Sequence, residues 1–97
     1  MPRLIVAPAA RAGLERCRSF LGQKNKDAAR RAAQTIARHF NLLTHMPNIG
    51  RPLDAHPDIR ELLIPFGDSG YLALYRFEEG EDVIVVLAFR HMREAGY

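Results

Sequence analysis

Cysteine is nearly absent from this chain. Cys17 stands alone among 97 residues, so no internal disulfide can form and nothing points to an oxidising compartment. Lysine is almost as scarce: Lys24 and Lys26 accompany twelve arginines among the 14 basic residues, and no lysine follows Lys26. No apolar run approaches the roughly 20 residues of a membrane-spanning helix, and 26% of the residues are charged, so no membrane segment is expected. The apolar stretch after Met1-Pro2-Arg3 is broken at Pro8 and Arg11, too early for a secretory leader, and the expected location is the cytoplasm. His39 and His45 read as solvated, and with His56 they show no metal-ligand spacing. Ser19 and Ser69 lack a nucleophile-elbow context, and Gly67-x-x-Gly70 reads as a turn. No cofactor motif occurs, and no cofactor is expected.

What is present is an ordinary core. Hydrophobic residues make up 47% of the chain and fall into periodic runs, and this length suits one domain. The net charge of +3 and pI near 9.5 say less than the kind of cation. Arginine's planar fork binds carboxylates and phosphates bidentately, whereas lysine is a point charge. The composition suits an acidic protein partner or a nucleic acid, although a GC-rich genome alone would also enrich arginine.

Arg3 to Ala7 reads as a short strand, ended by Pro8, which suits a first helical turn. Ala10, Leu14, Cys17 and Leu21 then repeat at helical spacing. Gly22 to Lys26 reads as a break, and Asp27 as the cap of a second helix. That helix carries Ala29, Ala33, Ile36, Phe40 and Leu43 as its stripe and runs to about Met46. After the turn-rich Pro47 to Pro52 come strands at Ile59–Pro65, Tyr71–Phe77 and Val83–Phe89. The last is apolar on both faces, as an interior strand would be. The order βααβββ predicts an α+β domain spanning 1–97, with a two-helix hairpin packed on one face of a small antiparallel sheet. Leu14, Cys17, Ile36, Phe40, Leu74, Val85 and Leu87 are expected in the core. The other sheet face is left for a partner to cover.

Several ordered pieces resemble one family. They are Leu43-x-x-Met46-Pro47-x-Ile49-Gly50-Arg51-Pro52, Ile59-Arg60-Glu61-Leu62, Tyr71-x-x-Leu74-Tyr75-Arg76 and Phe89-Arg90-His91-x-Arg93-Glu94. With the βααβββ order, they make the chain similar to RelE/ParE toxins of bacterial type II toxin–antitoxin pairs over nearly its whole length. The resemblance implies a cognate acidic antitoxin whose C-terminal segment folds along the toxin, in a hetero-oligomer. It also implies one of two targets, DNA gyrase for ParE-type members or messenger RNA in the ribosome for RelE-type ones. A member that binds its antitoxin with little toxicity is a third reading.

Arg51, Arg60, Arg76, Arg90 and Arg93 are the expected partner-binding residues. RNA cleavage would need a proton acceptor, a donor to the leaving oxygen and cations for the phosphate. His91, Arg60, Arg90, Arg93 and Tyr97 form the candidate catalytic set if the chain is an endoribonuclease, with Glu61 as another base. Tyr71 and Tyr75 alternate with core positions and read as structural. The missing lysines and the Pro-x-Ile-Gly-Arg-Pro loop favour the gyrase reading.

Overall fold

Alanine, arginine and leucine, good helix formers, fill the chain from Pro8 to His45, while valine, isoleucine, tyrosine and phenylalanine crowd the segments after Ile59. The computed structural model, which describes residues 1–97, follows that division. It runs β1 (Arg3–Val6), α1 (Pro8–Lys24), α2 (Lys26–His45), β2 (Arg51–Pro52), β3 (Ile59–Phe66), β4 (Ser69–Glu78) and β5 (Val83–His91). The five strands lie in the order β1-β5-β4-β3-β2, with the helical hairpin on one face. No helix is long and apolar enough to cross a membrane.

The expected α+β layering is present, with three differences. First, the sheet is mixed, because β1 pairs with β5 in parallel, Leu4 beside Ile84 and Val6 beside Val86. A direct hairpin would force an antiparallel pair, but β1 and β5 are separated by most of the chain, so connection length sets no direction. Second, Arg51 and Pro52 form a two-residue edge strand against Glu61 and Arg60. Third, Gly22 lies inside α1 and the helices are separated by Asn25 alone. The Asn25 side chain, not that of Asp27, caps α2 by accepting from the Ala28 N–H at 3.0 Å. Asp27 instead sits in the first turn, paired with Arg30.

Strand alternation divides the sheet into two unlike faces. Toward the helices point Leu62 and Ile64 of β3, Tyr71, Ala73 and Tyr75 of β4, and Ile84, Val86 and Phe89 of β5, all buried. A β-bulge shifts the β4–β5 register between Leu74 and Tyr75, which lets both strands keep their apolar sets on one face across an odd residue count. Of the residues expected in the core, Cys17 is buried, and Leu14, Ile36 and Phe40 are half-buried against it. Leu74, Val85 and Leu87 are a correction. They are only half-buried and belong to the helix-free face, because in this strand pair the tyrosines, not the leucines, point inward.

The approach of α1 to β5 is close. A Cβ at Gly13 would collide with the Phe89 carbonyl oxygen, so glycine is required there for packing. Tyr75 is the other fixed point. It is fully buried, its hydroxyl donates to the Pro47 carbonyl at 2.8 Å, and it accepts from the Gly50 N–H at 2.8 Å. One phenol thereby holds both ends of the turn that joins α2 to β2. Tyr75→Phe leaves the buried Gly50 N–H without a partner, and an orphaned buried donor costs about 1–3 kcal/mol. Urea unfolding should show that loss with the slope unchanged.

Candidate functional site

The face without helices gathers charge around an apolar strip. Leu72 and Leu74 of β4 and Val85 and Leu87 of β5 line it half-buried, and Ile5 and Leu63 are more exposed. Arg3, Arg51, Arg76 and Arg90 stand on it, against Glu61 and Glu78. Arg51 donates to Glu61 at 3.0 Å, and Arg76 pairs with Glu78. Cations outnumber carboxylates, and most of the arginine groups remain wet. Surface pairs of this kind add little to stability, but they keep the guanidinium forks at set positions on the sheet.

The C-terminal residues fold back onto this face. Arg90 donates one guanidinium nitrogen to the carbonyls of His91, Met92 and Glu94, the last at 2.6 Å. Its guanidinium carbon lies 4.8 Å from the centre of the Tyr97 ring, a cation–π distance. The Tyr97 hydroxyl donates to Glu61 at 2.9 Å. Burial, reinforced by that bond to Glu61, pushes the Tyr97 phenol well above its ordinary value, so it remains protonated at physiological pH and serves as a donor only. Arg51, Glu61, Tyr97 and Arg90 thus form one connected cluster.

His91 belongs to the opposite face. It pairs with Tyr71 on β4, its ring meets the Tyr71 ring edge-on at 5.3 Å, and its Nδ1 accepts from the Arg93 N–H at 3.1 Å. Glu94 organises this corner. Its carboxylate accepts from the His91 N–H at 3.0 Å, from Arg16 Nε of α1 at 2.9 Å, and from the Cys17 thiol at 3.5 Å. Burial, with Glu94 beside it, pushes the Cys17 thiol up to about 11, which leaves no thiolate for chemistry near neutral pH. Arg93 stands at the rim, 3.8 Å from Asp68.

Arg60 is separate again. It donates to the carbonyls of Asn48 at 3.0 Å and Gly50 at 2.7 Å, which fastens the α2–β2 turn beside Tyr75. It shares a sheet face with His91, but their partners on β4, Tyr75 and Tyr71, are four residues apart, roughly 13 Å of strand. The five candidate catalytic residues therefore fall into three places: Arg90 with Tyr97, His91 with Arg93, and Arg60 in the turn. Of the expected partner-binding arginines, Arg51, Arg76 and Arg90 share the helix-free face. Sequence reasoning assigned no role to Arg16 or to Glu94, although Glu94 closes one of the quoted motifs. Their pairing spans 78 residues, so no local spacing signals it. No three His, Cys, Asp or Glu side chains converge to hold a metal ion.

Comparison with known proteins agrees with this architecture. Residues 4–96 match the family model described as the ParE toxin of type II toxin–antitoxin systems, parDE. The chain is 31% identical over 94 residues to the curated Toxin RelE3 of Caulobacter vibrioides, covering 97% of this chain and 98% of that one. It also superposes on a chain of the intact Escherichia coli RelBE toxin–antitoxin complex, with a TM-score of 0.67 over 97% of this chain and 100% of that chain. At 15% identity, that last likeness is one of fold.

Glu94 provides a pH test of the corner. The His91 N–H holds its carboxyl below the ordinary 4.5, with Arg16 adding to the effect against the opposing pull of burial. A lowered folded-state pKa contributes stability above the unfolded value and loses it as pH falls through the folded one. The thermal midpoint should therefore drop on acidification below about pH 4.5. Glu94→Gln should lower the midpoint at neutral pH and flatten that acid slope. A variant whose acid slope matches wild type would remove Glu94 from this role.

Proposed function

The chain belongs to the RelE/ParE family of type II toxin–antitoxin toxins, and from that premise we propose that it acts by binding DNA gyrase, held in check by an acidic antitoxin. The observation that carries the target is the scattering of proton-transfer groups. Cleavage of RNA by its 2′-hydroxyl needs a base, an acid and phosphate-binding cations around one atom. Here the sheet stands between His91 and the Arg90–Tyr97 pair, Arg60 is taken up by two carbonyls, and the Tyr97 phenol is held protonated. Such a surface suits recognition of a protein more than catalysis.

The helix-free face is the proposed seat of the antitoxin. Its apolar strip would be covered by an amphipathic segment, and the arginines around it would meet that segment's carboxylates. The wild-type toxin and antitoxin would form a hetero-oligomer in the cytoplasm. A second reading keeps one specific observation in its favour: Arg51, Glu61, Arg90 and Tyr97 share one face. In a ribosome-dependent endoribonuclease, Glu61 could take the proton once Tyr97 moves aside.

His91→Gln and Glu61→Gln, each made alone, separate the two. Each change keeps size and polarity but removes a candidate proton-transfer group, and general acid–base catalysis supplies about 10²–10⁴-fold in rate. We expect toxicity to persist in both variants, with DNA breaks and filamentation on expression. Cleaved messenger RNA on translating ribosomes, abolished by His91→Gln or by Glu61→Gln in folded protein, would instead establish the nuclease. The antitoxin reading makes its own prediction. Because steering by surface charge is screened by salt, the association rate should fall as ionic strength rises while the complex stays tight. A flat rate would leave the arginines without a part in capture.

A further inference from the structure

Charge is divided unevenly between the two layers. From Pro8 to His45 eight residues are basic and two acidic, a net +6, whereas the rest of the chain has six basic and nine acidic, a net −3. All eight basic side chains of the helical layer are exposed. Three are matched: Arg16 by Glu94, Arg18 by Glu15 and Arg30 by Asp27. Arg11, Lys24, Lys26, Arg31 and Arg38 have no acidic partner. Of these, Lys24 lies over the Phe20 ring and Arg38 donates to the Thr35 hydroxyl at 3.0 Å. The helix α2 turns Ala32, Ile36, Phe40 and Leu43 toward the core. Its opposite side carries Arg31, Gln34, Arg38, Asn41 and His45 at i, i+3, i+7, i+10 and i+14, one stripe of a helix, and all five are exposed. Arg31 and Arg38 stand two turns apart, about 10.5 Å along the axis of a helix about 30 Å long.

We propose that this outward stripe of α2 binds the phosphate backbone of duplex DNA without reading its sequence. Arginine, asparagine and glutamine are side chains that bond phosphate oxygens, and here they follow one another along a rigid rod. The nearest carboxylate on the helix, Asp27, is already held by Arg30. Two other polyanions fit this surface less well. Single-stranded nucleic acid is gripped by aromatic rings on which its bases stack, and the stripe has none. A lipid surface is entered by an apolar helix face, and that of α2 is taken up by the core. The stripe also lies on the far side of the helices from the helix-free face, so a partner seated on that face leaves it open. The inference rests on the gyrase reading: that target works on duplex DNA, and the stripe would hold the toxin beside it.

The test is the affinity of the purified toxin for a short DNA duplex of arbitrary sequence, read by fluorescence anisotropy across a salt series. Two double variants are compared with wild type: Arg31→Gln/Arg38→Gln on the stripe, and Arg3→Gln/Arg51→Gln on the helix-free face, which removes the same charge. All four side chains are exposed, and exposed ion pairs add little to stability, so thermal midpoints should match wild type. Each neutralised phosphate contributes about −0.9 to the slope of log affinity against log salt. The stripe variant should therefore bind more weakly at physiological salt, with a slope shallower by about 1.8, while the other variant behaves as wild type. Equal weakening of the two variants makes net charge the cause and overturns the stripe as a site. Tighter binding of wild type to an RNA hairpin than to the duplex also overturns it and assigns the face to the ribosome reading. Capture of gyrase in the absence of DNA checks the premise separately. Wild type that binds gyrase but not the duplex overturns this inference alone, and wild type that binds neither overturns both.

Discussion

The phenol of Tyr75 is the point on which the arrangement of both faces depends. It is fully buried, and both its proton and a lone pair are used, on Pro47 and Gly50. Burial pushes its ionisation above the ordinary value, so the neutral donor–acceptor form is the only one present near neutral pH. The turn it holds delivers Arg51 and Pro52 to the edge of β3. Arg51 can then reach Glu61, and Glu61 in turn receives Tyr97. Arg60 completes the bracket from the neighbouring strand, with a charge-assisted bond to the Gly50 carbonyl. A Cβ at Gly50 would press on the Tyr75 ring and hydroxyl, so the glycine and the tyrosine require one another.

A five-stranded sheet with helices on one side turns a one-residue step along a strand into a change of face. Arg90 and His91 are adjacent in sequence, yet one meets Tyr97 on the helix-free face and the other packs against Tyr71 on the helix side. This separation keeps the candidate proton-transfer groups from meeting at one site. The C-terminal corner links the two faces. Arg90 gathers carbonyls from one side, and Glu94 gathers Arg16, Cys17 and the His91 N–H from the other.

Two arginines act as fasteners inside the fold. Arg60 serves two carbonyls at once, and Arg90 serves three while its guanidinium carbon lies over the Tyr97 ring. The twelve arginines thus do more than set net charge: some are internal fasteners, and others are left exposed to solvent. Composition alone does not distinguish the two uses.

The helical hairpin, the three long strands and their order were legible in the sequence, because periodicities of 3.6 and 2 report directly which local geometry can bury the apolar side chains. The family resemblance was legible for a related reason: Gly50, Arg60 and Tyr75 are required by contacts of the fold. Other features were decided only by tertiary structure. Asn25, not Asp27, became the cap because α1 ran on through Gly22. The parallel pairing of β1 with β5 joins segments most of the chain apart. Leu74, Val85 and Leu87 went to the helix-free face because two apolar faces look alike until a helix covers one. The scattering of His91, Arg60, Arg90, Arg93 and Tyr97 followed from the same cause. Sequence spacing sets which side of a strand each residue takes, but strand pairing and the fold-back of the tail set which residues meet, and those contacts join residues as far apart as Leu4 and Ile84.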